Sequence, residues 1–150
     1  MKRDSRLSDT LHILLHMADA GRPMTSEALA GMMRTNAVVV RRTMAGLRDA
    51  GLVTSEKGPG GGWTLARDLS HLSLHDVYVA LGEPVLVGFG RRSDNPDCLV
   101  EKAVNDALED AVSEAETVLT KRLRALRLSD LAADFSKRMA KHRRRKPHAH

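Results

Sequence analysis

Met24–Arg67 reads MTSEALAGMMRTNAVVVRRTMAGLRDAGLVTSEKGPGGGWTLAR, and two changes of rhythm divide it. Thr25 stands where an N-cap would, before Ala28, Leu29 and Met32 at helical spacing, and Arg34-Thr35-Asn36 supplies a polar turn. Asn36 can cap a second helix over Ala37 to Ala50, which stops at Gly51 as helices commonly stop at glycine. On that second helix Val40, Met44 and Leu47 share one face, whereas Val38, Arg41 and Arg48 point elsewhere. Its first turns are therefore basic and outward, the layout of a helix that enters a DNA groove.

After Gly51 the period shortens to two. Leu52-Val53-Thr54-Ser55-Glu56 and Trp63-Thr64-Leu65 flank Lys57-Gly58-Pro59-Gly60-Gly61-Gly62, the pattern of a β-hairpin with a glycine-rich tip. A tip almost without side chains can bring its backbone against a phosphate strand or into a minor groove, with Lys57 as the charged probe. A plain flexible loop and a nucleotide cradle are the competing readings. A phosphate-binding P-loop needs a following Lys-Ser or Lys-Thr and a helix, and here the loop lies between two strand-like runs. A helix-turn-helix followed by a wing fits the whole stretch.

Upstream, Leu7, Leu11, Leu14, Leu15 and Ala18 recur at steps of three and four, with Ser5 or Ser8 as a cap and Gly21-Arg22-Pro23 as a stop, which predicts a supporting first helix. His12 and His16 stand one turn apart on it and read as surface histidines, since no Cys or carboxylate completes a local ligand spacing. Downstream, Ser73-Leu74-His75-Asp76 resembles a capping box and opens a short helix closing at Gly82. Glu83 to Arg92 reads as a connector, with an extra strand as the alternative. Asn95-Pro96-Asp97 then predicts a helix start with Asn as cap and Pro in the first turn.

From there Val100, Val104, Ala107, Leu108, Ala111, Ala115, Val118, Leu119 and Leu126 form a stripe to about Arg127. Such a helix is about 45 Å long, more than a body this small can cover. A second copy of the chain is the natural cover, through Val104, Leu108, Ala111, Ala115 and Val118; the helix's acidic first half and basic second half favour a crossing or antiparallel pair. The alternative is a helix folded back on its own domain. Leu131, Phe135 and Met139 line up on a last short helix that Ser129 and Asp130 cap, and residues 141–150 read as a basic unstructured tail.

The division expected is a winged helix-turn-helix over 1–82, a connector with long and short helices over 83–140, and the tail over 141–150. The fold class is mainly α with one small β-hairpin. Aromatics are 3% of 150 residues against 42% hydrophobic, so the core is built of Leu, Val, Ala and Met, a composition suited to helices. The net charge of +5 is unevenly spread. Lys137–Lys146 holds seven basic and no acidic residues, and Arg22–Arg67 holds seven basic against three acidic, as a nucleic-acid partner requires. The single cysteine, Cys98, excludes an internal disulfide framework and fits a reducing cytoplasm. No run approaches the roughly 20 apolar residues of a membrane span, and no secretory signal is evident, so a cytoplasmic protein without a membrane partner is expected. No Ser/His/Asp, paired-carboxylate or metal-ligand constellation stands out, which argues against an enzyme.

With these pieces named, the sequence resembles the Rrf-type family of bacterial winged-helix transcription regulators. The resemblance runs from Leu7 to about Phe135 and is most specific at Leu-Arg-Asp-Ala-Gly-Leu-Val over 47–53 followed by Lys-Gly-Pro-Gly-Gly-Gly-Trp-Thr-Leu over 57–65. Asn36-Ala37-Val38-Val39-Val40-Arg41-Arg42 looks like the branch that lacks an iron-sulfur cluster. The resemblance implies a homodimer built on the long helix and bound to a double-stranded DNA operator. It implies Asn36, Val38, Arg41 and Lys57 facing bases or groove, with Thr25, Arg42 and the backbone of Gly58, Pro59, Gly60, Gly61 and Gly62 on phosphates. Cluster-bearing members carry three cysteines before the long helix, and only Cys98 has a counterpart here. One thiolate falls short of the roughly four protein ligands a cluster takes, so no cofactor is expected. The function expected is a DNA-binding regulator acting as a repressor. The alternatives are a redox sensor working through Cys98, placed by this reading in the first turn of its helix, and a protein-interaction module on the same scaffold. The effector, small-molecule or redox, is not legible.

Overall fold

The structure, a computed structural model, describes residues 4–88 and 97–145. Six α-helices and one hairpin follow the order α1 (Arg6–Ala20), α2 (Ser26–Met33), α3 (Ala37–Asp49), β1 (Val53–Glu56), β2 (Gly62–Leu65), a 3-10 turn at Leu69–His71, α4 (Leu74–Ala80), α5 (Leu99–Ala125) and α6 (Leu128–Arg145). The strands pair antiparallel with Val53 opposite Leu65 and Glu56 opposite Gly62, so the mainly α class with a two-stranded wing holds.

Local chemistry sets most boundaries. Thr25 Oγ1 accepts from the Ala28 N–H at 3.1 Å and Asn36 Oδ1 from the Val39 N–H at 3.0 Å, satisfying donors that the first turns of α2 and α3 leave open. Arg34 ends α2 in the left-handed region at φ 52°, and its N–H returns to the Ala30 carbonyl. Ser73 and Asp76 form the reciprocal capping box of α4 at 2.9 and 3.0 Å. Ser5 occupies the N-cap position of α1, but its hydroxyl donates to the Asp9 carboxylate at 2.8 Å instead of capping.

The core gathers Leu14, Leu29, Met44, Leu47, Leu72, Val77 and Leu128, all fully enclosed. Two expected stripes are rotated. α1 buries Leu7, Thr10, Ile13, Leu14 and Met17, leaving Leu11 and Leu15 half-buried. α2 buries Ser26, Leu29 and Ala30, whereas Ala28 is exposed and Met32 is 46% exposed. The cause is distant in sequence: buried Trp63 of β2 donates from Nε1 to Ser26 Oγ at 2.9 Å and turns that edge of α2 inward.

Three further expectations are corrected. α5 begins at Leu99 with Cys98 at the N-cap, later than the start expected from Asn95-Pro96-Asp97; Asn95 and Pro96 lie outside the described residues. Residues 141–145 are helical, because α6 runs unbroken to Arg145 with Asp130 in its first turn and four basic residues in its last, complementing the helix dipole at both ends. Residues 146–150 lie outside the description. The boundary drawn at 82 does not separate two cores, since Leu123 and Leu128 belong to the same cluster as the helix-turn-helix and Leu119, Leu126 and Leu131 pack against it. The described part of the connector, 83–88, contains no strand.

Candidate nucleic-acid interface

α3 turns its first residues outward because Val40, Met44 and Leu47 commit its other side to the core. Val38 is 57% exposed and Val39 46%, with Arg41 and Arg42 exposed beside them. Arg41 Nη1 meets Glu27 Oε1 of α2 at 3.0 Å. Both side chains are more than half exposed, so the pair is cheap to open and Arg41 is parked rather than consumed. Asn36 and Thr25 spend their oxygens on capping, which leaves the Asn36 amide and the Thr25 hydroxyl proton free to donate.

The wing carries Lys57 into solvent, without a hydrogen bond or ion pair to any described residue. Its glycines have two different reasons. Gly58 and Gly60 take left-handed conformations, φ 92° and 76°, with open space around them. A Cβ at Gly61 would collide with the Glu56 carbonyl, and one at Gly62 would sit 2.6 Å from the Met24 carbonyl oxygen. The last two glycines are therefore required by the chain's own packing, and the freely accessible tip is Gly58-Pro59-Gly60. Trp63 locks that base, bridging to Met24 through two backbone bonds of 2.8 and 3.1 Å with Arg48 lying 5.9 Å over its ring. Cross-strand Thr54 and Thr64 share a 2.8 Å hydroxyl bond.

Thr25, Asn36, Val38, Arg41, Arg42, Lys57 and the tip thus all stand on solvent-facing positions of the helix-turn-helix and wing. Glu27 and the Ser26–Trp63 bond escaped sequence reading because they join residues 14 and 37 positions apart, with no local spacing to mark them.

Among the other candidates, Cys98 is half-buried at the α5 N-cap and makes no side-chain cap bond. His12 and His16 pair with each other, Nε2 to Nε2 at 2.9 Å with ring centroids 4.7 Å apart. Among the described residues no group of three or more His, Cys, Asp or Glu side chains could hold a metal ion, and no helix is long and apolar enough to cross a membrane. Val104, Ala111, Ala115 and Val118 of α5 are exposed and Leu108 is at 36%.

A profile of the Rrf2 family, described as iron-dependent transcriptional regulators, matches residues 3–134. The chain belongs to the Rrf2 family. It is 30% identical over 128 residues to YwnA of Bacillus subtilis, a candidate HTH-type transcriptional regulator, covering 85% of this chain and 95% of that one. Among solved structures, a candidate DNA-binding protein is 31% identical at a TM-score of 0.64, over 85% of this chain and 98% of the other. A candidate transcriptional regulator from Lactobacillus plantarum shares the fold at a TM-score of 0.72 and 21% identity, over 93% and 97%. This Rrf2 protein is accordingly a DNA-binding transcriptional regulator and not an enzyme. The donor set does not fit the iron of the family's description in cluster form, since one thiolate supplies a quarter of the roughly four ligands needed.

Proposed function

We propose that this Rrf2 protein is a homodimeric, cluster-free repressor in the cytoplasm that reads a two-fold operator, one half-site per subunit. The observation that carries the reading is the apolar stripe left uncovered on α5: Val100 is 73% exposed, Val104 52% and Val118 70%. A row of apolar residues this exposed on a helix about 40 Å long marks an interaction surface, and a second α5 offers the matching stripe. Each head then inserts the first turns of α3 into a major groove. Val38 and Val39 meet apolar base edges such as thymine methyls, Arg41 leaves Glu27 to pair with guanine, and Asn36 donates its amide. Thr25, Arg42 and the backbone of the tip hold phosphates, and Lys57 enters the flanking minor groove. Repression needs nothing further than occupancy of a promoter.

The test is selection of binding sites from random DNA by the full chain, combined with sedimentation. The expected result is a palindrome whose half-centres lie about one or more helical turns apart, bound by a dimer with a steep loss of affinity as salt rises. An asymmetric single site bound by a monomer would overturn the two-headed reading.

A further inference from the structure

A groove of about 390 Å³ lies where the head meets the arm. Tyr78 of α4, Glu83 and Leu86 of the connector, and Glu116, Leu119 and Arg124 of α5 line it, so three elements meet around one space. Its size is within the range of small-molecule sites, and its wall is mainly polar, with Leu86, Leu119 and Leu123 among the lining. The side chains of Glu83, Glu116 and Arg124 form no hydrogen bond or ion pair with any described residue. Burial and the two nearby carboxylates, Glu83 and Glu116, push the Tyr78 hydroxyl above its ordinary pKa, so both negative charges converge on that ring. Glu83 itself is held at φ 53°, a conformation that side-chain-bearing residues rarely adopt, by its N–H bond to the Tyr78 carbonyl at 3.1 Å. His75, with its ring 6.0 Å from that of Tyr78, completes the wall on the head side.

Two unpaired carboxylates around an aromatic ring suit an ammonium group, and a lone guanidinium on the same wall suits a carboxylate. We propose that this groove is an effector site for a free α-amino acid, its ammonium held between Glu83 and Glu116 and its carboxylate on Arg124. The site stays open in the proposed dimer. At 100° per residue, Glu116, Leu123 and Arg124 lie roughly 100° or more round α5 from the centre of the Val104–Val118 stripe, with Leu119 at the stripe's edge. A ligand there joins α4 to α5, and α4 packs directly on the recognition helix, where a Cβ at Gly46 would stand 3.9 Å from the Ala80 carbonyl oxygen. Occupancy therefore fixes the angle between reading head and arm, and it regulates to the extent that the ligand prefers one angle. This regulatory step rests on the two-headed reading; binding in the groove does not.

The experiment titrates the full-length chain with each common α-amino acid in turn by calorimetry and ligand-observed NMR. For any binder the decarboxylated amine and the deaminated acid serve as separate arms. At least one amino acid should bind, both truncated analogues should lose affinity, and Glu116→Gln and Arg124→Met should each weaken binding by at least about tenfold while ligand-free DNA binding is unchanged. The amine arm should be insensitive to Arg124→Met and the acid arm to Glu116→Gln. No binding by any amino acid, or binding that survives both substitutions, overturns the site. Ligand-free DNA binding on the same preparation separates the failures: a chain that binds DNA but no amino acid sinks the groove alone. One that binds an amino acid through Glu116 and Arg124 but reads no operator sinks the two-headed reading alone. Binding that leaves DNA affinity unaltered removes the effector role.

Discussion

The head and the arm use the same apolar residue types at the same helical spacing and end in opposite states. In the head, Leu14, Leu29, Met44 and Leu47 are wholly enclosed; along the arm, Leu99 is 81% exposed and Val100 73%. Periodicity shows that a helix has an apolar face and is silent on what covers it. α5 even contains both outcomes, because Leu119 and Leu123 dock on the head while the stripe from Val100 to Val118 stays bare. The head's core is completed by the end of α5 and the start of α6, and the rest of the arm's apolar face is left exposed.

The largest effect should fall in the head. Leu47→Ala removes a fully buried side chain between α3 and its neighbours and should cost about 2–5 kcal/mol, read as a lower urea midpoint. Val100→Ala, at an exposed site, should shift the midpoint by less than about 0.5 kcal/mol when the chain is dilute enough to be monomeric. Equal costs would erase the contrast. The next effect is on assembly: Ala111→Asp with Val118→Asp would bury unpaired charge in the proposed seam, so the dimer should dissociate while the head keeps its helical signal. Operator affinity should drop by about a hundredfold once the half-sites are no longer joined. A double variant that still sediments as a dimer means that another surface makes the interface.

The head was legible in the sequence because its signals are local. Thr25, Asn36 and Ser73 cap as their spacing predicts, and Lys57–Gly62 turns where the period changes. What escaped depends on distant partners. Trp63 reaches back to Ser26 and rotates the apolar face of α2, and the end of α5 returns to the head core, which no composition boundary near 82 announces. The basic run 141–145 looked unstructured because it lacks apolar periodicity, yet it extends a helix already started and its charge suits a C-terminus. The exposed candidate DNA residues were readable as types and positions, whereas the Glu27–Arg41 pairing was not.

Within the head, the interface itself can be graded. Arg41→Ala should lower operator affinity by about 1–3 kcal/mol and relax specificity at one position per half-site. Uniform weakening across sequences would move Arg41 from bases to phosphates. Lys57→Ala should cost less, about tenfold at most, and should cost most on A·T-rich flanks, whose narrow minor groove concentrates negative potential. Equal losses on all flanks would place Lys57 on the phosphate backbone.

The smallest effect tests the joint between the two regions. Ser73 caps α4 and also bridges to Arg127 just after α5, while the Leu74 N–H reaches the Leu126 carbonyl at 3.0 Å and the Leu128 N–H reaches Leu72 at 2.9 Å. Burial pushes the Asp76 carboxyl up, but the Ser73 N–H and hydroxyl, with Arg127 and Arg67 nearby, outweigh it and hold the pKa below the ordinary carboxylate value. A carboxylate with a depressed folded-state pKa stabilises the native state fully above its unfolded value near 4, and this contribution fades as pH falls through the folded value. Ser73→Ala should cost about 1 kcal/mol near neutral pH through the lost cap. Asp76→Asn should flatten the acid limb of the stability curve below about pH 4, because the group that titrates there has gone. Since Ser73 and Asp76 sit where the arm is stitched to the head, the loss should appear as faster amide exchange over α4 and residues 126–128, with the α2–α3 turn unaffected. An acid limb that Asp76→Asn leaves unchanged would assign the low-pH loss to other carboxylates and leave the joint held by its backbone bonds alone.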